Sequence, residues 1–281
     1  MGKVLDGVAP HMIKDFEPLE TMGPSLRTIV KELRENNVDV LINLLPVGSS
    51  KATRFYAKAA ALAKVAFING IPEFIASSRI YSRMFEKNKA LVLGDDIKGQ
   101  LGATIVHRVL ASLISIRGSK IKKTYQLNVG GNSDFKNMLE QSRLKSKRKS
   151  KTLAIASTHS NLRKLMRNIF AGPSGYVEFL GNTKVAYIYI EAESFMNEPV
   201  IIDLKLVVND KAMAASVLID VIRLAKALKE RGIHGSPGWA STPYFKHPPI
   251  IERSDYEALK KFYTNLEKLG IKIEPRRITI Q

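Results

Sequence analysis

The chain contains no cysteine. Disulfide scaffolds, thiolate metal sites and thiol nucleophiles are therefore excluded. Aromatic residues are few, with Trp239 the single tryptophan. No apolar run reaches the ~18–20 residues that a bilayer-spanning helix needs, and the first residues do not read as a basic-then-apolar leader. A cytoplasmic protein with no membrane contact is the expectation. No G-x-S-x-G pattern supports a serine hydrolase. The five histidines (His11, His107, His159, His234 and His247) lack paired ligand spacing, so no metal site is assigned.

What is present is a globular composition. Of 281 residues, 45 % are apolar and 25 % charged, which suits one large or two modest domains with a real core. The net charge is +18 and is unevenly placed. Residues 101–150 carry 11 basic and 2 acidic side chains, whereas residues 1–50 carry 5 and 7. Concentrated positive charge points to an anionic partner. Its densest part, Arg143 to Lys151, has three readings. It is a solvated run, a phosphate-backbone contact, or a small-molecule anion site. Nucleic acid is disfavoured because no tyrosine or phenylalanine lies between Lys136 and Lys151 to stack on bases. For the third reading, Lys147 and Lys151 are four apart and share a face of a helix. Packed cations lower one another's pKa, which lets one lysine accept a proton.

The pattern along the chain is α/β. Val38–Leu45, Val65–Ile68 and Ala90–Leu93 read as buried strands, with an Ala-rich helix from about Lys51 to Lys64 between the first two. Such spacing predicts βαβ units on a parallel sheet, where ligands bind beyond the carboxyl ends of the strands. Those ends carry Pro46-Val47-Gly48-Ser49-Ser50, Asn69-Gly70 and Gly94-Asp95-Asp96, so all three are expected to line one crevice. Residues 101–117 predict a helix stopped at Gly118. Tyr125, Leu127 and Val129 alternate with polar residues and predict a strand into Gly130-Gly131-Asn132. Val185–Ile190 and Val200–Val208 read as strands, and Ala212–Glu230 as a helix capped by Asn209 or Asp210. The Gly/Pro-rich stretch 232–249 is expected to be a lid or binding loop, followed by a helix (about 254–268) and a strand (270–274). Taken singly, Asp95-Asp96 fits a solvated turn as well as a ribose, lysine or Mg²⁺ contact. Asp210 fits a helix cap, Lys246 an ordinary exposed lysine and Trp239 ordinary packing.

Taken in order, the motifs are specific. They are Val4-Leu-Asp-Gly-Val-Ala-Pro-His-Met12, Leu45-Pro-Val-Gly-Ser49, Phe67-Ile-Asn-Gly-Ile-Pro72, Phe74-Ile-Ala-Ser77 and Gly94-Asp-Asp-Ile-Lys98. They continue with Gln126 to Phe135, Ser146 to Lys151, Gly172-Pro-Ser174, Tyr176-Val177, Asn182 to Tyr187 and Lys246-His-Pro-Pro249. Together they resemble archaeal-type myo-inositol-1-phosphate synthase (inositol-3-phosphate synthase). The resemblance implies an NAD-dependent isomerisation of D-glucose 6-phosphate to 1D-myo-inositol 3-phosphate. C5 is oxidised, C6 enolised, the enolate attacks the C1 aldehyde, and the product ketone is re-reduced. It implies catalytic roles for Lys147, Lys151, Lys184, Lys246, Asp96, Asp210 and Asn132. Lys147 and Lys246 would handle protons at C5, and Lys151 and Lys184 would bind phosphate or the C1 oxygen. Pro46, Val47, Gly48, Ser49, Asn69, Gly70, Asp95, Asp96, Asn132 and Asp134 would contact NAD, and Lys98, Gly99, Gln100 and Lys151 the substrate phosphate. A divalent cation is an open addition. The implied architecture is an incomplete Rossmann-like parallel-sheet domain (1–96 and 210–281) interrupted by an inserted α+β domain for catalysis and assembly (97–209), in a homotetramer.

The sequence also departs from that family. The Gly-rich loop of the family's opening βαβ unit should precede Val4, and it is not found; truncation, a separate polypeptide or loss would each account for that. A serine usually stands where Gly99 does. Asp210-Lys-Ala-Met-Ala-Ala-Ser216 stands where Asp-Ser-Pro-Asn-Ser-Ala-Gly is usual. A non-catalytic or NAD-deficient relative that keeps the anion pocket is therefore an alternative, and a basic nucleic-acid-binding protein a further one.

Overall fold

The computed structural model describes residues 6–15, 23–140, 151–158 and 166–271. Three parallel strands, β1 (Val40–Asn43), β2 (Ala66–Asn69) and β3 (Val92–Gly94), form one sheet in that order. These strands read as continuous apolar runs because both faces are covered. Phe67 and Val92 pack toward the Ala-rich α2 (Ser50–Ala63) and toward Phe85 of α3 (Arg79–Lys87). Ile68, Leu91 and Leu93 face the other way, onto Val221, Leu224 and Leu228. Helix α1 (Leu26–Glu35), for which the sequence carried no clear signal, starts at Ser25, whose hydroxyl accepts from Thr28 N.

A second sheet is mixed. Its strands β4 (Lys120–Gly130), β5 (Ile169–Tyr176), β6 (Thr183–Glu193) and β7 (Pro199–Asn209) lie in the order β5-β4-β6-β7. Only β4 and β5 are parallel. Helix α4 (Ala103–Ile116) covers one face, with Ala111 and Ile114 packed on Ile188 and Ile190. Strand β5 was not expected, because Gly172, Pro173 and Gly175 break any apolar alternation. It is an edge strand, where a proline that cannot donate is tolerated, and the register with β4 slips beside Pro173.

After β4 come α5 (Ser133–Asn137) and a helix whose described part is 151–156 (α6). Helix α7 (Asp210–Glu230) leaves the end of β7 and returns to the first sheet, with Asn209 as the N-cap accepting from Ala212 N. The 232–249 stretch is seated in the fold rather than free to close. Gly235 bridges Leu91 in parallel, Gly238–Ser241 is a short helix (α8), and Phe245 and Ala240 are fully buried. Trp239 packs on Phe262 of α9 (Asp255–Lys268), so its apolar side chains explain the loop's composition. The strand expected over 270–274 lies outside the described residues beyond Ile271.

His107 of α4 is wholly buried, with Nε2 2.7 Å from Thr124 Oγ1 and Nδ1 without a hydrogen-bond partner. Burial drives its pKa from 6.5 down to about 4. The unfolded chain therefore binds the extra proton between those values, and stability falls as pH falls through that window. The expected loss is about 3 kcal/mol from this group. Urea melts at pH 7 and near pH 4.5 check it, since His107→Gln should flatten that part of the profile. Equal acid sensitivity in the two proteins would refute it.

Candidate active site

The carboxyl ends of the first sheet are tied by buried amides. Asn43 Nδ2 donates to Asn69 Oδ1 at 2.8 Å and to Thr53 Oγ1 at 3.0 Å, and Asn69 Nδ2 donates to Asp95 Oδ1 at 2.8 Å. Asp95 is fully buried and accepts from five donors. These are Asn69 Nδ2, the backbone N–H groups of Ile75, Ala76 and Ser77, and Ser77 Oγ. Burial pushes its carboxyl up to about 6 against those donors.

Beyond these strand ends opens a cavity of about 630 Å³, a size that suits a small ligand. Its wall includes Pro46, Val47, Ser49, Gly70, Asp96, Lys98, Gly99, Gln126, Asn128, Asp134, Lys151, Lys184, Asp210 and Lys246. Lys246 reaches it because residues 244–247 pair antiparallel with 95–98, through Lys246 N to Asp96 O (2.7 Å) and Lys98 N to Tyr244 O (2.8 Å). Its Nζ donates to Asp96 Oδ1 at 2.8 Å and to Ile97 O at 2.6 Å. Asp96 itself takes a left-handed φ of 63°, tolerable for aspartate. Lys184 is brought to Asp210 by the β6–β7 pairing, in which Thr183 stands opposite Asn209, and the two side chains form an ion pair. Lys151 is buried, at the start of the described part of α6. Lys147 lies outside the described residues.

Other expected site residues stand behind the wall. Asn69 and Asp95 form the tie just described, and Gly48, with φ 102°, shapes the turn between Val47 and Ser49. Asn132 is the N-cap of α5, accepting from Asp134 N and Phe135 N. Gln100 turns to α7, where Ser216 Oγ lies 3.0 Å from its Oε1. Lys98 is in the wall itself, yet its Nζ is held by Asp255 (3.0 Å) and Thr242 O (3.1 Å). Burial drives its ammonium pKa down to about 8, against the pull of Asp255. The two local departures from the resembled pattern meet here, since a Cβ on Gly99 would lie 3.1 Å from Met213 Cβ. The Gly130-Gly131 pair is explained by close packing, because a Cβ on Gly131 would collide with Val177 O and Gly181 N.

Residues without a sequence signal complete the site. Asn137 donates to Gly7 O and Val47 O and accepts from Ala9 N, which fastens the 46–49 turn to α5. Gln126 and Asn128 carry a signal only as a pair, two apart in a strand and hence on one face. Among the described residues no group of three His, Asp or Glu side chains is arranged to hold a metal ion.

Chemically, this is a pocket for an anion with several hydroxyls. Ammonium groups face positions where negative charge can sit or develop, and carboxylates hold two of them in place. The crevice lies beyond the carboxyl ends of three parallel strands, where such sheets bind ligands. The N-terminus of α2 is not a spare pyrophosphate site, since Asp6 already accepts from Lys51 N and Ala52 N there.

A sequence model of the myo-inositol-1-phosphate synthase family matches residues 102–211. The inositol-3-phosphate synthase of Mycolicibacterium smegmatis is 44 % identical over 256 residues, covering 88 % of this chain and 68 % of that protein. The crystal structure of a myo-inositol-1-phosphate synthase-related protein from Thermotoga maritima superposes with a TM-score of 0.71 at 28 % identity, over 89 % of this chain and 71 % of that one. The inositol-3-phosphate synthase of Caenorhabditis elegans, at 16 % identity, shares the fold with a TM-score of 0.81 over all of this chain and 65 % of its own.

Proposed function

The chain belongs to the inositol-3-phosphate synthase family, and from that premise we propose that it carries the sugar-phosphate site of an enzyme converting D-glucose 6-phosphate to 1D-myo-inositol 3-phosphate. The observation that carries this reading is the convergence of Lys151, Lys184 with Asp210, and Lys246 with Asp96 on one cavity at the strand ends. NAD, when bound, supplies the oxidation at C5 and its reversal. The chain's own groups do the rest. Lys246, held by Asp96, moves a proton at the C5 oxygen, in company with Lys147. Lys151 and Lys184 neutralise phosphate and the oxygen that turns anionic at C1. Pro46, Val47, Ser49, Gly70 and Asp134 form the side of the cavity that would hold the nicotinamide end.

The same reading takes residues 1–96 and 210–281 as one domain and 97–209 as the insertion. The packing of α7 on β1 and β2 supports this. A homo-oligomer, a tetramer by resemblance, belongs to it as well, and the exposed Ile201 and Val207 on edge strand β7 are compatible with self-association. The archaeal type rests on the ordered motifs alone. Sequestered lysines count against nucleic-acid binding, since a backbone-binding surface keeps its cations outward.

The test is conversion of glucose 6-phosphate with NAD present. It is run on this chain and on a chain extended by the upstream reading frame. Lys151→Ala should lower turnover by about 10²-fold or more in protein whose melt shows that it is folded. Absence of product from both wild-type forms would overturn the proposal.

A further inference from the structure

Lys151 stands in the first described turn of α6, and the last turn of that helix is tied to α4. Helix C-termini leave carbonyls without intrahelical donors. Ser157 and Thr158 serve the carbonyls of Leu153, Ala154 and Ile155 from within the turn, and Arg108 of α4 adds a donor from outside it. Its Nη1 donates to Ala154 O and, at 2.7 Å, to Ser157 Oγ. The rest of the guanidinium is spent elsewhere. Nε donates to Asp255 Oδ2 at 2.7 Å and Nη2 to Glu252 O at 2.9 Å. Arg108 is 3 % exposed and does not line the cavity.

Asp255 shares its other oxygen with Lys98 Nζ at 3.0 Å. Desolvation pushes the Asp255 carboxyl up, but Lys98 and Arg108 outweigh it and hold the group below the usual carboxylate range. Lys98 is on the 95–98 strip whose partner strip carries Lys246. One guanidinium thus joins the Lys151 helix, through a single carboxylate, to the backbone that bears Asp96 and Lys246. Two buried cations against one carboxylate also leave a net positive charge behind the cavity wall. The guanidinium spreads its donors over three nitrogens in a fixed plane, whereas a lysine carries all three of its donors on one nitrogen and does not reproduce that spread.

We propose that Arg108 is a positioning residue that sets the spacing between Lys151 and the Lys246–Asp96 pair for an anionic sugar phosphate. The anion's identity rests on the functional reading above, whereas the positioning of Lys151 does not. Arg108→Lys keeps the charge and loses the fork. Asp255→Asn keeps the size and loosens the far anchor, and it serves if the first variant fails to fold. Two quantities are read on each folded protein: glucose 6-phosphate affinity by calorimetry, and the pH-dependent rate at which an amine reagent labels Lys151, by peptide mass spectrometry.

The expected result is an affinity weakened by about tenfold and a Lys151 labelling profile displaced from wild type. In Arg108→Ala, added guanidinium ion should move both back toward wild type. A folded Arg108→Lys protein with wild-type Lys151 labelling overturns the proposal, as does a lost affinity that tracks melting temperature while labelling stays unchanged. If wild type binds no glucose 6-phosphate yet the labelling profile shifts in the variants, the functional reading fails and the positioning role stands.

Discussion

Replacing Lys246 by methionine is expected to cut turnover by about 10²–10³-fold and to lower the unfolding free energy by about 3 kcal/mol. Both effects come from one pair. The Asp96 side chain is 3 % exposed and the Lys246 side chain 13 %. Methionine fills the space of the alkyl stem but takes away the cation that offsets a desolvated carboxylate. Removing one member of a buried pair costs more than removing both, because the remaining charge keeps its desolvation penalty. Lys246→Met combined with Asp96→Asn should therefore regain most of the stability seen in urea melts. Turnover should stay low in the double variant, since the ammonium that would handle the proton at C5 is still missing. Stability and activity would then separate within a single mutant cycle. A Lys246→Met protein that turns over glucose 6-phosphate at the wild-type rate would remove Lys246 from the proposed chemistry.

The parts of the fold that were legible are those whose residues answer to local physics. Val38–Leu45, Val65–Ile68 and Ala90–Leu93 read as buried strands because helices cover both faces, and β1, β2 and β3 fall within or beside them. Gly118, with φ 84°, ends α4 as a helix stop should. Strand β5 was hidden because its pairing depends on β4 rather than on its own residues, two of them glycine and one proline. In β4 the alternation was visible, yet the more deeply buried face is the polar one, with Thr124, Gln126 and Asn128 inside and Tyr125 and Leu127 half-buried. That inversion follows from what lies opposite, His107 and the cavity, which no local pattern announces. The site was legible as a set of charges but not as a set of partners. Lys246 looked like an exposed loop lysine until the 244–247 strip paired with 95–98. Arg108, Asn137 and Asp255 carried no signal, because each is defined by partners 46 or more positions away.

The pair Asp95-Asp96 shows why adjacent identical residues need separate tests. Asp96 faces the cavity, while Asp95 points back into the fold. Asp95→Asn should lower stability by about 4 kcal/mol, since each buried donor left without an acceptor costs ~1–3 kcal/mol. The carboxylate offers two acceptor oxygens to Ile75 N, Ala76 N and Ser77 N (each 3.0 Å) and to Ser77 Oγ and Asn69 Nδ2 (each 2.8 Å). An asparagine offers one, and turns an NH₂ group onto N–H groups that have no water to turn to. The damage should spread through Asn69 to Asn43, because those amides hold the ends of β1 and β2 in register with β3. Asp95→Glu should not rescue it, because the extra methylene moves the carboxylate away from five donors placed for the shorter side chain. Urea melts at neutral pH read the effect directly, and any loss of NAD binding should follow the loss of fold. A contact with the dinucleotide predicts the reverse, near wild-type stability with weakened NAD affinity, and that outcome would move Asp95 from the scaffold to the binding surface.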